Sequence, residues 1–236
     1  MMLRGPRIVY PAATFNATKA LEAVQQEGCN AWYGTPTMYV DMLAHPNRDG
    51  IEFDKENIGL MAGAMCPEQL LLDLKSKMNC RIFVAYGTTE NSPVTTLSTQ
   101  DDSLDQRTTT VGAVMPHTEA KVVNENGSVV PRGETGELCI RGTCVFKGYW
   151  EQPEKTNDVL DDSNWYKTGD LSIMREDGYI QIVGRSKDMI IRGGENIYPA
   201  EIESILVKHP QIVDAHVVGV ESKRLGEEVT IDTIVT

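Results

Sequence analysis

The sequence lacks any long apolar segment and has relatively few basic residues. Lysine and arginine number 22 against 34 aspartate and glutamate residues, giving a formal net charge of −12. This charge disfavours nucleic acids and anionic membrane surfaces as partners, because both repel an acidic protein. No apolar run approaches the roughly 20 residues of a membrane-spanning helix, so we predict no transmembrane segment.

Cysteine and histidine are also scarce. The 5 cysteines never form a Cys-x-x-Cys pair, and their odd number argues against a closed disulfide framework. The 4 histidines have no metal-ligand spacing with them, so the sequence gives little support to a zinc site. We expect all the cysteines to be reduced thiols in the core; they are Cys29, Cys66, Cys80, Cys139 and Cys144.

The first third of the chain alternates short apolar runs with amphipathic segments. Asn16 is placed to cap a helix over residues 17–27, and Gly28 follows its end. Pro67 opens a second amphipathic segment, and residues 81–86 form an apolar run typical of a strand. Strands alternating with helices imply βαβ units, so the predicted fold class is α/β with a parallel sheet.

After Pro93 the pattern changes to short strands separated by turn residues. Asn126-Gly127 predicts a β-hairpin between the apolar runs on either side, and Asp177-Gly178 predicts another. We therefore expect a small β-barrel or sandwich to follow the parallel sheet. A further small α+β unit is predicted to start after Gly184.

A glycine pair marks the last part of the chain. Gly193 and Gly194 can adopt positive φ and allow a ligand to approach the backbone, and Arg192 precedes them. Pro199 suits the first position of a helix. The pattern alone leaves two interpretations open: a loop that receives a thin anionic ligand, or a strand-to-helix turn that requires glycine.

Three blocks carry a resemblance to a known family. They are Tyr86-Gly87-Thr88-Thr89-Glu90, Tyr166-Lys167-Thr168-Gly169-Asp170-Leu171 and the stretch from Gly184 to Glu203. In this order they resemble the adenylate-forming superfamily of acyl-CoA synthetases, adenylation domains and luciferases. The resemblance implies the C-terminal portion of an AMP-binding domain over residues 1–184 and a truncated C-terminal lid domain over residues 185–236.

The resemblance also implies a function. The sequence resembles that of an ATP-dependent fatty acid–CoA ligase, which joins a carboxylate to ATP, releases pyrophosphate and then forms a thioester with coenzyme A. The implied ligands are a fatty acid, ATP or AMP, Mg²⁺ and coenzyme A. The motif sequences resemble those of mitochondrial members of the family, which implies a mitochondrial location. Two alternatives stay open: an adenylation domain that loads a carrier protein, and a non-catalytic truncated isoform that binds nucleotide or a partner.

The first block supplies the residues that the resemblance places around adenine and phosphate. Tyr86 and Gly87 are expected beside adenine, and the hydroxyls of Thr88 and Thr89 are expected to donate to phosphate oxygens. Glu90 repels phosphate and would need Mg²⁺ between them, which suits a carboxylate oxygen ligand. Thr89 and Glu90 are the predicted catalytic residues. The alternative is an ordinary strand-end turn with a surface glutamate.

The later blocks supply four more residues. The resemblance implies that Asp170 accepts hydrogen bonds from the ribose diol and that Arg185 contacts ribose or phosphate, since its planar fork suits oxygen acceptors. A turn aspartate and a domain-interface ion pair are the alternatives. Lys187 matches the family's hinge position, with an ordinary solvated lysine in a turn as the alternative. Gly194 matches the glycine along which the pantetheine arm of coenzyme A runs.

A small-residue segment after the strand predicted over residues 58–62 resembles the family's Gly-Gly-Ala segment. By resemblance, Gly63 and Ala64 lie beside adenine and the acyl tail, although tight core packing explains them equally well. Tyr33, Met38 and Met65 are candidates for lining an acyl pocket, with core packing as the alternative for each.

The resemblance predicts two further parts that the printed sequence does not contain. One is a Ser/Thr/Gly-rich phosphate loop with a lysine before Pro6, and the other is a catalytic lysine late in the lid domain. We therefore expect this chain to be an internal piece of a longer ligase with negligible ligase activity by itself, because each lost contact to the reacting phosphates raises the barrier by about 3–4 kcal/mol.

Overall fold

The computed structural model describes residues 5–53, 55–64, 66–222 and 224–235. The chain divides into two compact units. The first unit comprises Met1–Gly87 and Thr96–Gly112, and the second comprises Thr88–Thr95 and Ala113–Thr236. The domain boundary predicted after residue 184 falls inside the second unit and stays a prediction.

The first unit consists of a small β-sheet and four α-helices. Its helices are α1 (Ala17–Glu27), α2 (Pro36–Ala44), α3 (Glu68–Met78) and α4 (Leu104–Thr109). Its strands are β1 (Ala31–Gly34), β2 (Asn57–Met61), β3 (Cys80–Tyr86) and β4 (Thr96–Leu97). Strands β1, β2 and β3 pair in parallel, and β4 runs antiparallel to β3. The α/β class and the parallel sheet are confirmed.

Both ends of helix α1 are formed by the capping residues that the sequence predicts there. The Asn16 side chain accepts a hydrogen bond from the backbone N–H of Lys19 at 3.0 Å, which satisfies a donor that the first turn leaves free. Gly28 ends the helix with φ of 63°, a left-handed conformation that costs glycine little. The predicted helix over residues 17–27 is confirmed.

The core of the first unit lies between helix α3 and the sheet. Leu74 and Met78 of α3 are fully buried, as is Met61 of β2. The buried Tyr39 of α2 donates its hydroxyl toward the carbonyl oxygens of Trp32 and Leu60, each at 3.2 Å. This shared contact fixes α2 against β1 and β2, because the buried hydroxyl needs an acceptor.

The second unit contains most of the strands. Its helices are α5 (Pro153–Val159) and α6 (Pro199–Leu206). Its strands are β5 (Ala113–Val114), β6 (Thr118–Val123), β7 (Thr135–Gly142), β8 (Tyr166–Met174), β9 (Ile180–Arg185), β10 (Ile190–Arg192), β11 (Glu195–Ile197), β12 (Ile212–Ser222) and β13 (Gly226–Val235).

Strands β6 to β9 form one antiparallel sheet in the order β6-β7-β8-β9. The predicted small β-barrel is wrong, because β6 and β9 lie at opposite edges of an open sheet and do not pair with each other. The hairpin predicted at Asn126-Gly127 is confirmed by a bridge between Val123 and Val129 and by two backbone hydrogen bonds, from Asn124 to Ser128 at 2.9 Å and from Val130 to Val122 at 3.0 Å. Strand β6 also pairs along its whole length with β7, which buries Leu138 and Ile140.

The last four strands form a second antiparallel sheet in the order β11-β10-β13-β12. Helix α6 is tied to this sheet by the Glu203 carboxylate, which accepts a hydrogen bond from the backbone N–H of Val217 at 2.8 Å. Ile190, Ala215 and Val217 are buried here. This part corresponds to the small α+β unit that the sequence predicts after Gly184.

Two further findings concern the whole described chain. All 5 cysteines are free thiols; Cys66, Cys80 and Cys139 are buried, whereas Cys29 and Cys144 are partly exposed. The expectation of core thiols is therefore confirmed for three of them. Within the described ranges, no helix combines the length and the apolar character that crossing a membrane requires.

Candidate functional site

A cavity of about 300 Å³ lies in the second unit, and residues from all three sequence blocks line it. The residues around it come from the turn after β3, from β7, from α5 and the segment before it, from β8, and from the end of β9. They are Thr88, Glu90, Glu137, Tyr149, Asp158, Val159, Tyr166, Lys167, Thr168, Gly169 and Arg185.

Thr168 and Gly169 line one wall of the cavity through a bulged part of β8, and the buried Asp170 follows them without lining it. Gly169 has φ of 74°, which favours glycine, and its N–H donates to the Glu137 carboxylate at 3.1 Å. The Thr168 hydroxyl donates to the Leu138 carbonyl at 2.9 Å and accepts from the Asp170 N–H at 3.1 Å. The backbone before Asp170 is therefore fixed from strand β7.

Asp170 and Arg185 face each other across strands β8 and β9. The Nε of Arg185 lies 3.1 Å from Oδ1 of Asp170, and their side chains are 54% and 6% exposed respectively. A buried carboxylate is stable only when it is paired and hydrogen-bonded. The guanidinium supplies that charge while leaving half of its own side chain accessible.

Thr88 caps the short 3₁₀ turn Thr89–Asn91 through reciprocal hydrogen bonds with Asn91. The Thr88 N–H donates to the Asn91 side-chain oxygen at 2.7 Å, and Asn91 is fully buried. The Thr88 hydroxyl lies 3.4 Å from that of Tyr166 on β8. This contact joins the first and second sequence blocks within one unit. Thr89 is exposed and does not line the cavity.

The carboxylate of Glu90 is held at the edge of the cavity by an aromatic hydroxyl. Tyr149 donates its hydroxyl to Oε1 of Glu90 at 2.9 Å. Partial burial raises the pKa of Glu90, but hydrogen bonds from its own backbone and from Tyr149, Thr88 and Tyr166 outweigh this, so the pKa lies below its usual value. Glu90 is therefore an anion at neutral pH.

A single ionised carboxylate is compatible with Mg²⁺, which usually keeps several waters and takes few protein ligands beside substrate phosphates. Over the described part of the chain, no group of three or more His, Cys, Asp or Glu side chains is arranged to hold a metal by itself. Glu90 is thus suited to ligate a Mg²⁺ ion that binds together with substrate phosphates. Its role as a metal ligand stays a prediction.

Four of the predicted site residues belong to the first unit. Gly63 and Ala64 follow β2, and Gly63 has φ of 91°, so the chain turns where a side chain would be strained. Tyr86 ends β3 as predicted and is partly buried, with Gly87 directly after it. Their contacts with adenine or an acyl tail stay predictions.

The proposed acyl-pocket residues differ in exposure. Tyr33 is 58% exposed, so the alternative of core packing is wrong for it within the first unit. Met38 is partly buried in α2. Met65 lies outside the described residues.

The two remaining predicted residues lie in the last part of the second unit. Lys187 is exposed in the 3₁₀ turn Ser186–Asp188 directly after β9. Gly194 sits between β10 and β11 with φ of 91°, and a Cβ placed there would have no atom within 4 Å. Neither lines the cavity, and both of their assigned roles stay predictions.

Sequence reasoning assigned no role to six polar residues that border the cavity: Glu137, Tyr149, Asp158, Tyr166, Lys167 and Thr168. The last three lie inside the second sequence block. Glu137 is hydrogen-bonded to Gly169, 32 positions later, and Tyr149 to Glu90, 59 positions earlier. No local sequence pattern predicts contacts over such distances. Only the pairing of the strands brings them to the site.

Comparisons with known proteins agree on one family. The chain matches the family model for AMP-binding enzymes over residues 1–150. It is 49% identical over 230 residues to the mitochondrial medium-chain acyl-CoA ligase ACSF2 of Rattus norvegicus, covering 97% of this chain and 37% of the relative. It is 43% identical over 234 residues to the acyl-CoA ligase sidI of Aspergillus fumigatus, covering 97% of this chain and 40% of the relative.

A solved structure supports the same relationship. The o-succinylbenzoate CoA synthetase MenE of Bacillus subtilis, in complex with the acyl-adenylate intermediate OSB-AMP, matches with a TM-score of 0.81 at 27% sequence identity. The match covers 94% of this chain and 44% of that one. The chain therefore spans well under half the length of these relatives.

Proposed function

The chain belongs to the AMP-binding enzyme family, and we propose that it forms the adenylate-holding part of an ATP-dependent fatty acid–CoA ligase. In this reaction a carboxylate attacks ATP to give acyl-AMP and pyrophosphate, and the acyl group then passes to the thiol of coenzyme A. The observation that carries the proposal is the contact between the Thr88 and Tyr166 hydroxyls, 78 residues apart, at one cavity.

Asp170 is proposed to hold the ribose. A carboxylate can accept one hydrogen bond from each hydroxyl of a ribose diol, as acidic residues do in other nucleotide-binding folds. Its ion pair with Arg185 at 3.1 Å fixes the orientation of the Asp170 side chain. The exposed half of the guanidinium is then available for a ribose or phosphate oxygen.

The Thr88–Glu90 turn is proposed to face the phosphates. The hydroxyls of Thr88 and Thr89 are donors to phosphate oxygens, and the ionised Glu90 would hold Mg²⁺ against them. Bound together with the nucleotide, Mg²⁺ would supply neutralisation of the charge that develops on the phosphates. The chain's own contribution is to orient donors at fixed positions, which is the larger part of catalysis in phosphoryl and adenylyl transfer.

The remaining roles are proposed from the family resemblance. Tyr86 and Gly87 would lie beside adenine, with Gly63 and Ala64 beside adenine and the acyl tail. Lys187 would be the hinge residue of a lid that covers residues 185–236. A side chain at Gly194 would obstruct the pantetheine arm of coenzyme A.

A medium-chain fatty acid is the proposed substrate, and a mitochondrion is the proposed location. Both rest on the relative from Rattus norvegicus, which is named as a mitochondrial medium-chain acyl-CoA ligase. Discrimination among acyl chains depends on a few apolar contacts, each contributing about 1–3 kcal/mol.

The test is a chimera in which this chain replaces the 230 matched residues of the rat ligase. We expect the chimera to release pyrophosphate with a medium-chain acid and then to form the acyl-CoA thioester. The isolated chain is assayed in parallel for AMP binding by calorimetry. A folded chimera that forms no acyl adenylate would contradict the ligase function. AMP binding by the isolated chain together with an inactive folded chimera would favour a non-catalytic nucleotide-binding role.

A further inference from the structure

One short segment holds both the backbone and the side chain of Glu90. The N–H of Phe146 donates to the Glu90 carbonyl oxygen at 2.7 Å. Three residues later, the Tyr149 hydroxyl donates to Oε1 of Glu90 at 2.9 Å. Two hydrogen bonds from one segment fix the direction of the side chain as well as the position of its Cα.

Tyr149 is itself held in place. Its backbone N–H donates to the Thr156 hydroxyl at 2.9 Å, and that hydroxyl donates in turn to the Gln152 carbonyl at 2.9 Å. Its ring packs edge-to-face on Phe146 with centroids 4.9 Å apart. An aromatic pair of this geometry stabilises one ring orientation, so the hydroxyl reaches Glu90 from a rigid support.

Glycine at position 148 is required for this arrangement. Gly148 has φ of 139°, and a Cβ at that position would lie 2.7 Å from Cγ2 of Thr156. The chain can therefore bring Tyr149 next to α5 only because the preceding residue has no side chain.

The electrostatics support a donor role for Tyr149 over the whole neutral range. Burial and, to a smaller extent, the hydrogen bond to Glu90 raise the pKa of Tyr149 to about 12, so the phenol keeps its proton. The opposite shift, a lowered pKa, is found for Glu90. The other titratable groups around the cavity are Glu137, Asp158, Lys167, Tyr166 and Arg185.

We propose that Tyr149 is a positioning residue that holds the Glu90 carboxylate in one orientation at the cavity, ready to receive the magnesium of a bound nucleotide. Each oxygen of an ionised carboxylate can accept more than one contact, so Glu90 would still be able to ligate Mg²⁺ while it accepts the hydrogen bond from the phenol. The use of Glu90 by magnesium rests on the proposed function, whereas the hydrogen bond from Tyr149 does not.

The experiment is an NMR titration of the whole chain with ¹³C-labelled glutamate carboxyls, in which Glu90→Gln identifies the Glu90 signal. Tyr149→Phe keeps the ring and removes only the hydroxyl, so the midpoint of Glu90 should shift upward. Tyr10→Phe is the matched control, because Tyr10 is 84% exposed and should leave the midpoint unchanged. A merely structural role of the ring would move neither midpoint.

A second measurement needs no variant at Tyr149. The ¹³Cζ signal of Tyr149 in the wild-type chain should show an inflection at the Glu90 midpoint, and Glu90→Gln should abolish it. An unchanged Glu90 midpoint in folded Tyr149→Phe, or no such inflection in the wild type, overturns the proposal. Addition of Mg·ATP separates the two claims: absent nucleotide binding counts against the proposed function, while the titrations still decide the role of Tyr149.

Discussion

Asp170 and Arg185 form an ion pair across two neighbouring antiparallel strands, with the carboxylate buried and the guanidinium half exposed. The pair places a fixed negative charge below the surface of the cavity and a more accessible positive charge at its rim. A nucleotide needs both, since its ribose hydroxyls are donors and its phosphates are acceptors. This asymmetry underlies the first prediction.

Asp170→Asn is expected to weaken AMP binding. The amide cannot accept two charge-assisted hydrogen bonds from the ribose, which we expect to cost about 2 kcal/mol, or about 30-fold in the dissociation constant. Calorimetry on the isolated chain, or on the rat chimera if binding is too weak, measures the change. Asp162→Asn is the charge-matched control, because Asp162 is exposed in the turn before β8, whereas Asp170 is buried. Equal affinity of the two variants would exclude Asp170 from ribose binding.

The cysteines are expected to react in two classes. Burial raises the pKa of Cys66 and of Cys80 to about 12, and mainly burial raises that of Cys139 to about 11, so little thiolate forms at pH 8. Cys29 and Cys144 are partly exposed. Iodoacetamide labelling followed by mass spectrometry should modify these two in the native chain and all the cysteines after denaturation. Rapid native labelling of Cys66 or Cys80 would show that the first unit is not folded as described.

Two glycines with positive φ are expected to differ sharply when changed to alanine. Gly28→Ala introduces only the left-handed strain of about 1–2 kcal/mol, because a Cβ there has no atom within 4 Å. Gly112→Ala adds a clash, since its Cβ would lie 2.2 Å from the backbone carbon of Leu97. We expect a loss of about 3 kcal/mol or more for Gly112→Ala in urea denaturation. Similar losses for the two would contradict the close approach of residues 97 and 112.

Gly194→Leu is expected to separate the two half-reactions in the chimera. Adenylate formation should be nearly unchanged, whereas thioester formation should fall by about 100-fold if the leucine displaces the pantetheine arm. Gly133→Leu is the control, because Gly133 has φ of 83° and equally open space around its Cβ. Equal loss in both half-reactions, or the same effect from the control, would assign the defect to backbone strain.

Local sequence signals predicted the elements that are stabilised locally. Asn16 and Gly28 bracket α1 at the predicted ends, and the apolar spacing after Pro67 predicted the helix that buries Leu74 and Met78. These features need only neighbours within a few positions, so a single sequence contains them. The block ending at Glu90 and the block ending at Leu171 likewise contain more than half of the residues that line the cavity.

The contacts between distant strands could not be predicted in this way. Asn126-Gly127 correctly predicts a hairpin turn, but no local signal shows that β6 also pairs along its whole length with β7, where Leu138 and Ile140 are buried. The open sheet in place of a barrel has the same origin. The Tyr149–Glu90 hydrogen bond depends on where a turn crosses the sheet, and no periodicity encodes it.

A crystal structure of the chain grown with saturating AMP and Mg²⁺ tests the central claim most directly. The account predicts both ribose hydroxyls within hydrogen-bonding distance of the Asp170 carboxylate and the phosphate beside Thr88 and Thr89, with Glu90 on the metal. AMP bound elsewhere, or a cavity left empty at saturating nucleotide, would contradict it.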